Sequence, residues 1–319
     1  MTSKRPSPAT KDRSGGSASR RATGSGQTAA QRRAAQKQAA AQRALAAERG
    51  RRRRWLVVGG AVAAVVVVVG LLVGLKVASG PSAPASGSAT GAASAQVAGA
   101  VTGVPAGVLD SVGAGTVASA PTALTGAPLT ADGKPRVLYV GAEYCPYCAA
   151  ERWALAVALS RFGTLSGLGE TSSSPTDVYP NTATLSFHGA DYTSQYLSLT
   201  AKEIESNQAV GNGYAPLDTL DPADSTLFEN VGQGSFPFID IGGKYKISGA
   251  SYDPSVLQGK TQAQIAAALS DPKSPIAKSV DGTANVITAA LCRVTGNQPA
   301  NVCTSAGVTA AGKALPNNG

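Results

Sequence analysis

From Arg136 to Ala142 the chain reads RVLYVGA, an apolar run set off by Gly133 and Pro135 on one side and Cys145 on the other, and it predicts a buried strand. The next stretch, CAAERWALAVALSRF (148–162), is rich in helix formers and apolar nearly all round, which predicts a helix buried on most sides. NTATLSFHG (181–189) alternates as a strand does. LSLTAKEIESNQ (197–208) and DSTLFENVG (224–232) read as helical pieces separated by a loop of Gly, Asn and Pro. FPFIDIGGKYKISG (236–249) is a hairpin, two short apolar strands joined at Gly242 and Gly243, which tolerate the positive φ of a tight turn. TQAQIAAALS (261–270) and GTANVITAALCRVTG (282–296) are closing helices. The order of strand, cysteine pair, helix, strand, helix, proline, hairpin and helix defines an α/β class.

A different pattern precedes this. WLVVGGAVAAVVVVVGLLVGL, Trp55 to Leu75, has no charged residue and as a helix spans about 30 Å, the thickness of a bilayer's hydrocarbon core. The arginines 51–54 abut its start and only Lys76 follows its end, so the positive-inside rule predicts a single-pass cell-membrane protein with a cytoplasmic N-terminus and an extracytoplasmic C-terminal domain. A cleaved leader fits less well, because fifty-four residues exceed an ordinary n-region.

Charge sharpens this division. The chain carries a formal net charge of +9, yet its first fifty-four residues hold fifteen Lys and Arg against only Asp12 and Glu48. The basic character belongs to one tail and the remainder is mildly acidic, which argues against nucleic acid as a partner of the folded part. The expected organisation is a basic, mostly disordered cytoplasmic tail (1–54), a transmembrane helix (55–77), a flexible linker of small and polar residues (78–103), a globular extracytoplasmic domain (104–305) and a disordered C-terminal tail (306–319). Residues 30–50 could lie along anionic lipid as a helix or remain a solvated tail.

Outside the membrane disulfides persist, and the four cysteines, Cys145, Cys148, Cys292 and Cys303, allow two complete pairs. If a helix begins at Cys145, its thiol meets unpaired N–H groups at the positive end of the helix dipole, which favours thiolate. Pro146 suits the first helical position, and Cys148 lies one turn on. Cys145 is then the attacking sulfur and Cys148 the resolving one. Glu143 and Glu151 are candidate proton shuttles, or else buried polar residues that pair with partners. Cys292 and Cys303 enclose RVTGNQPANV and read as a structural disulfide, with a second redox couple as the alternative. A four-thiol zinc site needs two short ligand spacings, and only one pair has one, so no metal and no cofactor is expected.

The pair between a buried strand and a helix resembles the thioredoxin superfamily, and its Pro-Tyr dipeptide is typical of glutaredoxins. The strings LYVGAEYCPYCAAERWALAVALSRFG, TLSFHGADY, FPFIDIGGKY and LCRVTGNQPANVC are similar, over roughly residues 104–303, to a family of actinobacteria and archaea catalogued as domain of unknown function nine-two-nine. The resemblance implies a thioredoxin-like fold with insertions at 163–181 and 189–230, and a cis proline at Phe236-Pro237 facing the cysteines. Phe236, Pro237 and Tyr147 are then the expected substrate contacts. The function expected is thiol-disulfide exchange with exported proteins and an unidentified redox partner, with membrane lipid met through the helix and tail. The alternatives are a non-catalytic binding module of the cell envelope and a copper-handling thiol protein.

Overall fold

The computed structural model describes residues 85–316. The expected basic tail and membrane helix lie outside the described residues, and within them no helix is long and apolar enough to cross a membrane.

The chain opens with β1 (Gly91–Ala92), α1 (Ala95–Thr102), α2 (Ala106–Val112), β2 (Thr122–Ala123) and β3 (Thr130–Ala131). The centre follows: β4 (Lys134–Gly141), α3 (Pro146–Ser160), β5 (Gly163–Ser166), β6 (Gly169–Ser172), β7 (Ala183–Ser186), β8 (Asp191–Ser194), β9 (Ser198–Glu203), β10 (Glu205–Val210) and β11 (Gly213–Pro216). The C-terminal part is α4 (Pro222–Asn230), β12 (Phe238–Ile241), β13 (Tyr245–Ser248), α5 (Gln262–Ala268), α6 (Pro275–Val294), α7 (Ala300–Cys303) and α8 (Ala306–Ala311). The fold is a mixed α/β domain.

Its central sheet is built on β4. β12 pairs with it antiparallel, Phe238 opposite Val140 through Ile241 opposite Val137. β9 pairs with it parallel on residues 136–141. β13 and then β2 extend the sheet beyond β12, and β3 folds back on the first residues of β4. Because side chains alternate along a strand, Val137 and Tyr139 enter the main core with α3 and α6, while Leu138 and Val140 enter a second cluster with Phe228 and Phe238. That two-sided burial is why the run carries no polar alternation.

Helix α3 is buried from Pro146 to Leu159 except at Tyr147. Cys145 caps its N-terminus with extended φ and ψ, and Pro146 occupies the first turn. The β12–β13 hairpin turns at Gly242 and Gly243, with φ of 63° and 67°. A side chain at Gly243 would meet the Ala127 carbonyl at 2.4 Å, so space as well as φ demands glycine there.

Three expectations are corrected. LSLTAKEIESNQ is two strands, β9 and most of β10, rather than helix: the parallel pairing offered by the buried β4 outweighs the helix preference of Leu, Ala, Lys and Glu. Part of the expected 189–230 insertion is therefore sheet core, whereas the alternating strand at 181–189 gives β7, which joins β6 and β1 in a separate antiparallel sheet. The expected linker is folded from residue 85 onward. Ser94 caps α1, Val97 and Val101 are buried in the core, and β1 pairs with β6. The expected C-terminal tail forms α8 and buries Val308 and Leu315.

Candidate functional site

The two cysteines of the CPYC stretch carry free thiols. Cys145 retains 7% exposure and Cys148 none. The backbone N–H of Cys148 points at Cys145 Sγ from 3.3 Å, the capping bond that a helix N-terminus offers an anion. The two groups differ sharply in acidity. A hydrogen bond from the Cys148 thiol holds Cys145 below the ordinary thiol range against the opposing effect of burial, and the Cys148 N–H and the Arg152 guanidinium add to it. Burial pushes Cys148 well above that range, helped by its bond to Cys145. The less deeply buried thiol is thus poised to ionise and its neighbour to keep its proton.

Phe236 packs on the Cys145, Cys148 and Ala142 cluster, and the Phe236-Pro237 peptide is cis. Among the described residues neither the N–H nor the C=O of Phe236 has a hydrogen-bond partner. An unpaired donor and acceptor beside the Cys145 sulfur can pair with an extended chain.

Beneath the thiols lies an ion pair between wholly buried side chains that the sequence did not disclose. Arg152 donates from Nε to Glu203 Oε1 at 2.6 Å and from a terminal nitrogen to Glu203 Oε2 and to the Ala142 carbonyl, each at 2.7 Å. Tyr139, on β4, donates to the same carboxylate at 3.4 Å. Glu203 ends β9, opposite Gly141 at the end of β4, so the parallel pairing itself delivers the carboxylate under the cysteines.

The two proton-shuttle candidates are occupied elsewhere. Glu143 accepts from Ser186 at 2.6 Å and from Thr90, in the N-terminal segment, at 2.8 Å. Glu151 accepts from the Ser251 N–H and hydroxyl at 2.8 and 2.9 Å, and burial raises its carboxyl to about 7. Neither forms a hydrogen bond with a thiol. The buried carboxylate that acts on Cys148 is Glu203.

Cys292 and Cys303 form a disulfide near the other end of α3, where Arg161, its C-cap, donates to Ser305. The fifteen residues of α3, about 22 Å at the helical rise, lie between that end and Cys145. His188 is at the surface and bonds Asp218 at 2.7 Å. Trp153 is core, its indole donating to the Ala183 carbonyl. Among the described residues no three His, Cys, Asp or Glu gather as a metal-holding group.

Strand, capped helix, unequal thiols and facing cis proline together define a mixed α/β domain with a dithiol at a helix start. A family model described as a domain of unknown function (DUF929) matches residues 121–215, which include both thiols, Glu203 and all but the last residue of the β10–β11 hairpin and stop short of Phe236. No curated protein and no solved structure matches the chain.

Proposed function

We propose that the chain is a membrane-anchored, extracytoplasmic thiol-disulfide oxidoreductase that acts on exported proteins through Cys145 and Cys148. The observation that carries this reading is the inequality of the two thiols. Cys145 is capped, partly accessible and held acidic, whereas Cys148 is sealed and held protonated. A static staple has no use for that asymmetry, and exchange requires it.

Fold order supports the same reading. β4, α3, β9, α4, β12, β13 and α6 follow one another with β9 parallel to β4 and with β12 and β13 antiparallel, the order expected of a thioredoxin-like domain. The remaining strands and α1, α2 and α5 are additions to it. The buried guanidinium beside the thiols weighs against a cation-binding role, since it already supplies the positive charge that a metal would bring.

In the proposed cycle the Cys145 thiolate attacks one sulfur of a client disulfide. That S–S bond breaks, a mixed disulfide forms, and the other client sulfur leaves as thiolate and takes a proton. Cys148 then loses its proton and attacks Cys145. The Cys145–Cys148 bond forms and the second client thiol is released. The client gains two electrons and the protein dithiol loses two; a client dithiol meeting the oxidised pair runs the cycle in reverse.

Cells expressing Cys148→Ser are expected to accumulate mixed disulfides between Cys145 and exported proteins, and the purified full chain to reduce insulin with a dithiol donor. Equal inactivity of the wild type and Cys145→Ser, with no mixed disulfide in the trap strain, would overturn the reading.

A further inference from the structure

The added segments around the dithiol decide which disulfides can approach it. Five stretches meet there. Residues 142–147 carry the cysteine cap. The loop 174–182 places Tyr179 edge-on to Tyr147, ring centres 5.8 Å apart, and its Ser174 N–H bonds the Tyr144 carbonyl. The β10–β11 hairpin stacks Tyr214 on Tyr144 at 4.2 Å, and the Tyr214 hydroxyl donates to Ser174. Residues 231–237 bring Phe236 to the cysteines, and 249–254 bring Asp253, which accepts from the Tyr179 hydroxyl at 3.3 Å.

Two properties of these stretches stand out. The large apolar side chains exposed among the described residues are Tyr147, Val178 and Val210, and each belongs to one of the five. The charged side chains that these stretches themselves carry are acidic. Residues 142–147, 174–182, 203–218, 231–237 and 249–254 contain no lysine or arginine, while Asp177 and Asp253 stand exposed and Glu205 half-exposed, its carbonyl bonded to the Glu143 N–H. Of the neighbouring cations, Arg152 is buried and committed to Glu203, and the half-buried Lys246 on β13 donates from Nζ to the Val231 carbonyl at 3.0 Å.

We infer that this tyrosine- and carboxylate-rimmed surface docks an extended, positively charged polypeptide segment beside Cys145 and rejects small anionic thiols such as glutathione. This rests on the exchange reading above and names its client class. The unpaired N–H and C=O of Phe236 pair with the client backbone, the tyrosine faces attract lysine and arginine side chains as well as apolar ones, and Asp177, Asp253 and Glu205 add Coulomb attraction. A tripeptide thiol with two carboxylates meets repulsion from these carboxylates, and Lys246 beside them is already bonded to the Val231 carbonyl. The Pro146-Tyr147 dipeptide between the cysteines stands here in a rim whose own charged side chains are acidic.

The test uses the reduced full chain in a non-ionic detergent. Its exchange rate is measured with hydroxyethyl disulfide, with glutathione disulfide, and with two disulfide-linked peptides that share a Leu-Cys-Tyr core and are flanked by lysine or by glutamate. At low salt the lysine peptide is expected to react about tenfold faster than the glutamate peptide, and the ratio to fall towards one near 1 M salt as screening shortens the field. Glutathione disulfide is expected to be slower than the uncharged hydroxyethyl disulfide. Asp177→Asn/Asp253→Asn is expected to shrink the peptide ratio severalfold, and because that variant keeps the basic N-terminal tail, the tail cannot account for the change. Equal rates for the two peptides, or glutathione disulfide at least as fast as hydroxyethyl disulfide, would overturn the inference and leave the exchange reading standing. No exchange with any of the four disulfides would overturn both.

Discussion

Glu151 and Arg152 are neighbours on one helix, both wholly buried, and the molecule treats them in opposite ways. Arg152 turns towards the sheet and meets Glu203 in a two-pronged ion pair under the thiols. Glu151 turns to the other side and meets only the N–H and hydroxyl of Ser251. Tyr252 stands on that side too, its own acidity lowered by burial and then by Glu151 and Asp281. Asp281, on α6, has neither carboxylate oxygen hydrogen-bonded among the described residues, and burial raises it to about 8. With a cation present, burial retains charge; without one, it retains protons. The charged side is the side that faces the thiols, where a fixed positive group favours the Cys145 thiolate.

The sharpest way to break this contrast is to unpair the charged side. Arg152→Met leaves Glu203 buried with no counter-ion, and a loss of about 3–5 kcal/mol of stability is expected in urea denaturation. Arg152→Met/Glu203→Leu, which removes both charges, should recover most of that loss. A double variant no more stable than the single one would mean that Arg152 and Glu203 do not act as a unit.

How far the sequence discloses such a pair depends on distance along the chain. The buried strand, the cysteine cap of α3, the β12–β13 hairpin and the closing helices are visible because periodicity and turn chemistry are local. Arg152 and Glu203 are fifty-one residues apart, and Glu203 sits in a stretch whose Lys, Glu, Ala and Leu spell helix until β4 offers it a parallel partner. No spacing rule reaches across that gap. The folded residues 85–103 did leave a trace: Ser94 ahead of a short run, with Val97 and Val101 four apart on one helical face. Small residues around those signals made the stretch resemble a tether. The tyrosine rim was hidden for the same reason as the ion pair, since Tyr144 meets Tyr214 and Tyr147 meets Tyr179 only through tertiary folding.

The proton-holding side gives a smaller effect with a definite sign. Below about pH 4 the folded and unfolded chains both protonate Asp281 and Glu151, and their contribution to stability is complete. As pH rises the unfolded chain releases those protons first, and stability is lost progressively through about 7 for Glu151 and about 8 for Asp281. Asp281→Asn keeps the shape of the protonated acid without the option of charge. At pH 8 it should be more stable than the wild type by about 1–3 kcal/mol, and near pH 4 equal to it. Urea titrations at pH 4, 6 and 8 check this, and parallel profiles for the two proteins would rule it out. Glu151→Gln should shift less, because Ser251 already satisfies that carboxylate with two hydrogen bonds.

The smallest effect lies at the thiols, where the contrast between held charge and held proton recurs within one helical turn. Alkylation of Cys145 as a function of pH should show a midpoint below that of an ordinary thiol, set first by the hydrogen bond from Cys148. Cys148→Ala removes that bond but leaves the helix N-terminus and Arg152 in place, so the midpoint should rise while folding stability changes little. In Cys145→Ala the remaining Cys148, sealed and raised by burial, should resist alkylation until strongly alkaline pH. If the two thiols titrated alike, the asymmetry would vanish, and with it the assignment of one sulfur to attack and the other to release. If they separate in this order, the cap and the buried guanidinium act together, the cap on one thiol and the guanidinium on both, and α3 carries its chemistry in its first two turns.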